Sequence, residues 1–128
     1  MNIQWNAGDY TRNFSFVHEY GGDLIGLLPA GGRVLDLGCG NGALTKKLAD
    51  AGFRAFGLDA SQSLLETARA SYPELTFLDG DAVNFALDEP VDAVFSNAVF
   101  HWIDESRQQD MLDCVFRAMK PGGAFVFE

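Results

Sequence analysis

The residues best suited to chemistry in this chain are an acidic residue and three glycines, arranged as D-x-G-x-G-x-G. Asp36 precedes glycines at positions 38, 40 and 42, and the apolar residues around it predict a short buried strand. The segment after Gly42 has the apolar spacing of a helix, so the glycines lie in a strand-to-helix turn. Bare backbone lets a ligand lie against such a turn, and we expect the helix amides to point into that space as free donors.

Two kinds of ligand fit such a turn. A dinucleotide fingerprint, G-x-G-x-x-G, is matched if Ala43 takes the place of the third glycine. However, the carboxylate of Asp36 would repel a pyrophosphate and attract an ammonium group. The pattern therefore favours the methionine end of S-adenosylmethionine (SAM), lined by Gly38, Cys39 and Gly40. A tight turn that binds no ligand is the remaining alternative.

A second acidic residue, Asp59, ends the next predicted strand, 53–58. The interval from Gly42 to Asp59 leaves room for one helix and a return strand, and a right-handed crossover places Asp59 beside the glycine turn. A carboxylate in that position can accept both hydroxyls of a ribose. Ala60 and Gln62 would then flank the ribose and adenine side, and Ser61 is a candidate helix cap.

The predicted fourth strand, 91–95, is followed by Ser96 and Asn97 at the carboxyl edge of the sheet, where ligands bind in folds of this kind. Asn97 would face the sulfonium and the incoming substrate. His101 follows within one turn and is a candidate catalytic residue, as a general base or as a group that orients a carboxylate. A structural histidine beside Trp102 is the competing interpretation.

Five segments resemble the motifs of the class I SAM-dependent methyltransferases, in that family's order. They are VLDLGCGNG (34–42), GLDAS (57–61), LDGDA (78–82), FSNAVFHW (95–102) and MKPGG (119–123). The resemblance implies that Asp81 accepts from the adenine amino group and that the Ala82 amide meets a ring nitrogen, although Asp79 can replace Asp81 in a shifted register. Segment 5–10 is similar to trans-aconitate methyltransferase-like proteins, which implies that Tyr10 contacts the methionine carboxylate.

The predicted fold is α/β, a doubly wound, Rossmann-like and mainly parallel sheet in the order 3-2-1-4-5. We expect one SAM-binding domain over 1–128, with an N-terminal helical lid (1–30, its helix pattern over 12–28) and an α/β core (31–128). Members of the family usually continue with two further strands, so the chain is expected to be truncated before them. The fifth strand, 124–127, would then be an open apolar edge through which the chain self-associates.

Composition argues against several other classes of protein. The net charge of −9 does not suit nucleic acid or an anionic membrane surface. Cys39 and Cys114 lack the spacing of a zinc site or a disulfide scaffold, so no metal is expected. No apolar run approaches the ~20 residues that span a bilayer, and no signal peptide is visible, so a cytoplasmic location is expected by default.

The expected function is SAM-dependent methyl transfer to a small-molecule acceptor. The resemblance at 5–10 and 97–102 indicates a carboxylate as that acceptor. Because a sulfonium is already a good leaving group, the protein need mainly position the reactants and exclude water. The alternatives are a non-catalytic SAM-binding module and, less favoured because of Asp36, an NAD-binding oxidoreductase domain.

Overall fold

The computed structural model describes residues 15–17, 31–96 and 104–127. The strands and helices of this part of the chain alternate in the βαβ manner that builds a parallel sheet. In chain order they are β1 (Ser15–Val17), β2 (Arg33–Leu37), α1 (Ala43–Asp50), β3 (Arg54–Asp59), α2 (Gln62–Ser71), β4 (Thr76–Asp79), β5 (Val91–Ser96), α3 (Glu105–Ala118) and β6 (Met119–Phe127).

The six described strands form one parallel sheet in the order β1-β6-β5-β2-β3-β4. Strands β2 to β6 confirm the predicted order 3-2-1-4-5. The central strand β2 lies between β3 and β5, with Leu37 paired to Leu58 on one side and to Ser96 on the other. The carboxyl ends of these three strands therefore meet at one edge, at the point where the strand order reverses.

Strand β1 was not predicted. It lies within the segment 12–28, for which the sequence predicted a helix, and it pairs in parallel with 124–126 of β6. The prediction is wrong for these three residues, because a short apolar segment suits either period and pairing with β6 satisfies backbone groups that an edge leaves open. Strand β1 thus covers the edge of β6 over 124–126. The predicted self-association assumed that this edge was open. The other residues of the predicted lid lie outside the described part of the chain.

Side chains alternate along the strands and give the sheet two apolar faces, as expected of a parallel sheet covered on both sides. On one face, helix α3 packs on side chains of β2, β3, β5 and β6. This core includes Leu35, Leu37, Leu58, Val94, Phe125, Met111, Leu112 and Val115. On the other face, Leu48 of α1 packs with residues of β2, β5 and β6, and α2 packs Leu65 and Ala68 against Cys39 and Phe77.

The helix starts agree with the sequence in position but not in every contact. The hydroxyl of Ser61 accepts from the Leu64 amide at 3.3 Å and so caps α2 as predicted. Leu64 lies on the outer side of α2 and is 41% exposed. Asp104 precedes α3, and its side chain makes no cap hydrogen bond.

Strand β6 begins earlier than the predicted residue 124. Met119 pairs with Val91 and Ala124 pairs with Ala93. The residues between Met119 and Ala124 are therefore displaced from the ladder as an irregularity. The apolar residues beyond this irregularity, Ala124, Phe125 and Val126, lie in the core.

Candidate functional site

The glycine turn between β2 and α1 lies at the edge where the strand order reverses. Gly38, Gly40 and Gly42 have φ of 75°, 56° and 88°, a region that side chains disfavour. A Cβ added to Gly40 would meet nothing within 4 Å, whereas one added to Gly42 would lie 2.8 Å from Phe77. Gly42 thus serves packing, and Gly40 borders open space that a ligand can approach.

Most amides of this turn donate within the protein. Gly38 and Cys39 donate to the carbonyl of Leu58 at 2.7 and 3.1 Å. Three further amides, those of Gly40, Gly42 and Ala43, also have acceptors within the chain. The expectation of free helix amides is therefore wrong for Ala43, the first residue of α1. Since a carbonyl oxygen keeps a second lone pair after one hydrogen bond, the turn can accept from an ammonium group more readily than it can donate to a phosphate.

Asp36 lies beneath the turn, not at its mouth. Its residue is only 1% exposed, and its Oδ2 accepts from the Thr45 hydroxyl at 2.7 Å. Burial raises the pKa of the carboxyl from 3.8 to about 6, and hydrogen bonds from Thr45 oppose that rise. The group is mostly ionised at neutral pH, so its charge is still felt at the turn. Its oxygens do not reach the open space, which corrects the expectation of a direct pair with an ammonium group.

Asp59 ends β3 and joins the glycine turn to α2. Its Oδ2 accepts from the Gly40 amide at 2.8 Å, and its Oδ1 accepts from the Ser61 amide, also at 2.8 Å. The predicted neighbourhood of Asp59 and the turn is thus observed. Each carboxylate oxygen can accept further hydrogen bonds, so the half-buried carboxylate is fixed in position and still able to bind hydroxyl groups.

The end of β4 adds a second carboxylate to this edge. Asp79 pairs in register with Asp59, and Gln62 Nε2 donates to Asp79. Asp81 closes the turn that follows, since its Oδ1 accepts from the Val83 amide at 3.0 Å. Ala82 is half-buried, and Ala60 is exposed between β3 and α2. The predicted adenosine residues therefore lie in the two loops that leave β3 and β4.

The side chain of Cys39 belongs to the packing of the site. Burial raises the pKa of its thiol to about 12, and the charges of Asp36 and Asp59 add to the effect. The thiol therefore stays protonated and is a poor nucleophile. A Cβ added to Gly57 would lie 2.6 Å from both Cβ and Sγ of Cys39, so a glycine is needed on β3 to accommodate Cys39.

Sequence reasoning gave no role to Ser96. It is 1% exposed at the end of β5, and its hydroxyl has no hydrogen-bond partner in the structure as described. An unsatisfied buried hydroxyl costs about 1–3 kcal/mol, so its position opposite Leu37 at the reversal point marks a place that a ligand atom could satisfy. The sequence feature that could have identified Ser96 is its position directly before Asn97. Asn97, His101 and Tyr10 lie outside the described residues.

Other kinds of site receive no support from the described ranges. Within 15–17, 31–96 and 104–127, no group of three or more His, Cys, Asp or Glu could hold a metal ion. Cys39 and Cys114 are both free thiols. In the same part of the chain, no helix has the length and apolar character needed to cross a membrane.

Comparison with known proteins gives matches over most of the chain. A family model described as a methyltransferase domain matches residues 34–123. The chain is 33% identical over 132 residues to a trans-aconitate 2-methyltransferase of Rhizobium rhizogenes, covering 98% of this chain and 50% of the relative. It is 35% identical over 124 residues to a malonyl-[acyl-carrier protein] O-methyltransferase of Pectobacterium atrosepticum, covering 94% and 48%.

A solved structure with a bound ligand is also similar. The glycopeptide N-methyltransferase MtfA complexed with SAM superposes with a TM-score of 0.72 at 30% identity, covering 77% of this chain and 47% of that one. The chain spans about half the length of the curated relatives it matches. The similarity includes the strands β2 to β5 whose ends form the edge described above.

Proposed function

The chain belongs to the methyltransferase domain family, and on that premise we propose that its sheet edge binds SAM and that the protein transfers the methyl group to a small-molecule acceptor. The observation that carries the proposal is the carboxylate of Asp59, held between the Gly40 and Ser61 amides at the reversal point. A fixed carboxylate with spare acceptor capacity there suits the two hydroxyls of a ribose.

Further observations support the fit of SAM to this edge. Open space at Gly40 lets the methionine end lie against bare backbone. The turn offers carbonyl acceptors, which suit an ammonium group, and the nearby charge of Asp36 favours a cation. The hydroxyl of Ser96, which has no hydrogen-bond partner among the described residues, gives the bound molecule a further donor. Together these features form a site that fits an amino acid joined to a nucleoside.

The cofactor contacts are assigned by position in the fold. The backbone of Gly38, Cys39 and Gly40 borders the methionine end, and Asp59 binds the ribose. Asp36 acts through its charge and through Thr45. The remaining assignments by position are Ala60 and Gln62 beside the ribose and adenine, and Asp81 and Ala82 at the adenine. From the sequence alone, Asn97 is assigned to the sulfonium, Tyr10 to the methionine carboxylate, and residues 1–14 and 18–30 to a lid.

The chemistry required of the protein is modest. SAM supplies a methyl group on a sulfonium, which is already a good leaving group. The chain's residues therefore contribute by positioning, which can supply roughly 7–11 kcal/mol, and by excluding water. Because burial raises its pKa to about 12, the Cys39 thiol beside the site stays protonated and does not compete as a methyl acceptor.

We propose a carboxylate as the acceptor. Its support is that two relatives are named for trans-aconitate and for malonyl-[acyl-carrier protein]. A carboxylate is ionised at neutral pH and needs no base to remove a proton. In this proposal His101 orients the acid and does not abstract a proton.

Two alternatives make different predictions. An NAD-binding domain needs amides for its pyrophosphate, and five amides of the glycine turn already donate within the protein. Asp59 and Asp79 also place negative charge at adjacent strand ends. A non-catalytic SAM-binding module agrees with the same geometry and differs only in the absence of turnover.

Calorimetric titration with SAM and with NAD tests the binding, and incubation with methyl-labelled SAM and a series of small carboxylic acids tests the transfer. Primary amides matched in shape to those acids are the control. We expect SAM to bind, NAD not to bind and label to appear in a methyl ester. Binding of NAD without SAM would contradict the proposal, and label in the amides alone would contradict the carboxylate acceptor.

A further inference from the structure

A cavity of about 420 Å³ lies toward the edge of the sheet opposite Asp59, where β2, β3 and β4 begin. Its lining includes Arg33, Arg54, Phe56, Leu78, Leu87 and Asp88. Parallel strands keep their two ends apart by about 3.3 Å per residue, so Arg54 and Asp59 lie at opposite ends of β3. The cavity is therefore separate from the proposed SAM edge, and it falls within the size range of small-molecule sites.

Two arginines give this cavity a positive lining in a chain whose net charge is −9. The guanidinium carbon of Arg33 lies 4.4 Å from the centroid of the Phe56 ring, a contact that holds the guanidinium plane in place. Its Nε is buried and has no hydrogen-bond acceptor in the part of the chain that the structure describes. A buried donor left unpaired destabilises the folded state, so an acceptor delivered from the cavity would be favoured.

The second arginine is fixed by the backbone. Arg54 Nε donates to the carbonyl of Gly31 at 3.0 Å, which uses one of the five N–H donors of a guanidinium. Its other side-chain donors have no hydrogen-bond partner within 15–17, 31–96 and 104–127. Two guanidinium groups at one cavity match the planar fork of a carboxylate, which an arginine binds with two parallel hydrogen bonds.

We propose that this cavity binds a small monocarboxylate with an apolar body. The carboxylate lies at Arg33 and Arg54, where it supplies acceptors to the two guanidinium groups. The apolar body lies against Leu78, which is 37% exposed, and Leu87. Asp88, which also lines the cavity, disfavours ligands of higher negative charge such as phosphate. This inference is independent of the SAM proposal.

Titration with sodium benzoate, followed by backbone amide chemical shifts, tests the proposal. We expect shifts at Arg33, Arg54 and Leu87 and none at Asp59, with or without SAM. Benzamide has the same shape without the charge and should bind at least about tenfold more weakly than benzoate. Arg54→Gln should weaken benzoate binding by about tenfold, since Arg54 is exposed and its loss leaves the core intact.

Arg107→Gln is the matched control, because Arg107 is an exposed arginine on α3 paired with Asp110. It should leave benzoate binding unchanged, and neither variant should change SAM affinity. Arg33→Lys is a second variant, which keeps the charge and removes the fork, and should also weaken binding. Equal affinity for benzamide, unchanged affinity in Arg54→Gln, tighter binding of inorganic phosphate than of benzoate, or shifts confined to the Asp59 edge would each overturn the proposal.

Discussion

The carboxylate of Asp59 accepts a hydrogen bond from the backbone amide of Gly40 at 2.8 Å, so the residue that ends β3 holds the turn that follows β2. The same carboxylate accepts from the Ser61 amide just before α2. Hydrogen bonds to an ionised acceptor are among the stronger ones in proteins. The parts of the site are therefore organised by one side chain before any ligand binds.

The buried carboxyl of Asp36 should make stability depend on pH. Its pKa is raised from 3.8 to about 6, so the folded protein holds this proton more tightly than the unfolded chain does. Its contribution to the free energy of unfolding is complete below the unfolded pKa and is lost as pH rises through the folded one. The loss is on the order of 3 kcal/mol.

As pH rises from acid to neutral, we therefore expect the free energy of unfolding to fall less in Asp36→Asn than in the parent chain. Urea denaturation over that range measures it, with Glu89→Gln, at an exposed position, as the control. If Asp36→Asn and the parent chain lose stability equally with pH, burial of this carboxyl is not the cause.

Alanine substitutions at Gly42 and Gly52 distinguish the stability cost of backbone strain from that of a steric clash. Both have positive φ, 88° and 101°, but a Cβ would meet Phe77 at 2.8 Å at Gly42 and open space at Gly52. Alanine at either position should cost about 1 kcal/mol from the backbone, and overpacking should add about 1–3 kcal/mol at Gly42. Denaturation of the two variants measures the difference, and equal losses would show that Phe77 moves aside.

The thiol of Cys39 should be inert in the folded protein. Burial raises its pKa to about 12, and the residue is 7% exposed. In a Cys114→Ala background, which leaves one thiol, a disulfide reagent at mildly alkaline pH should react at least about 100-fold faster after unfolding in urea than before. Equal rates in the two states would show that Cys39 is open to solvent.

The sequence predicted the parts of the fold that depend on hydrophobic periodicity and on the order of elements along the chain. Alternating strands and helices predicted a parallel sheet, and the right-handed crossover placed Asp59 beside the glycine turn, as observed. The order of β2 to β6 was taken from the doubly wound fold that the chain resembles. The assignment of the chain to methyltransferases followed from five motifs in order, and the family comparison confirms it.

The features that depend on tertiary partners were not predictable. The amides of Gly38, Cys39 and Gly40 donate to Leu58 and Asp59, and these partners come from another strand. Asp36 was expected at the turn's mouth, but the packing of Thr45 decides its burial. The short segment 15–17 suited a helix or a strand, and only pairing with β6 decided between them. The roles of Tyr10, Asn97 and His101, and the lid over 1–14 and 18–30, stay predictions.

The central claim is that the Asp59 carboxylate binds the ribose of SAM, and calorimetric affinities of two variants test it most directly. Asp59→Ala should weaken SAM binding at least about tenfold, or ~1.4 kcal/mol. Asp88→Ala removes a carboxylate remote from this edge and should leave the affinity unchanged, with circular dichroism showing that both variants are folded. A folded Asp59→Ala variant that binds SAM as tightly as the parent chain would contradict the account.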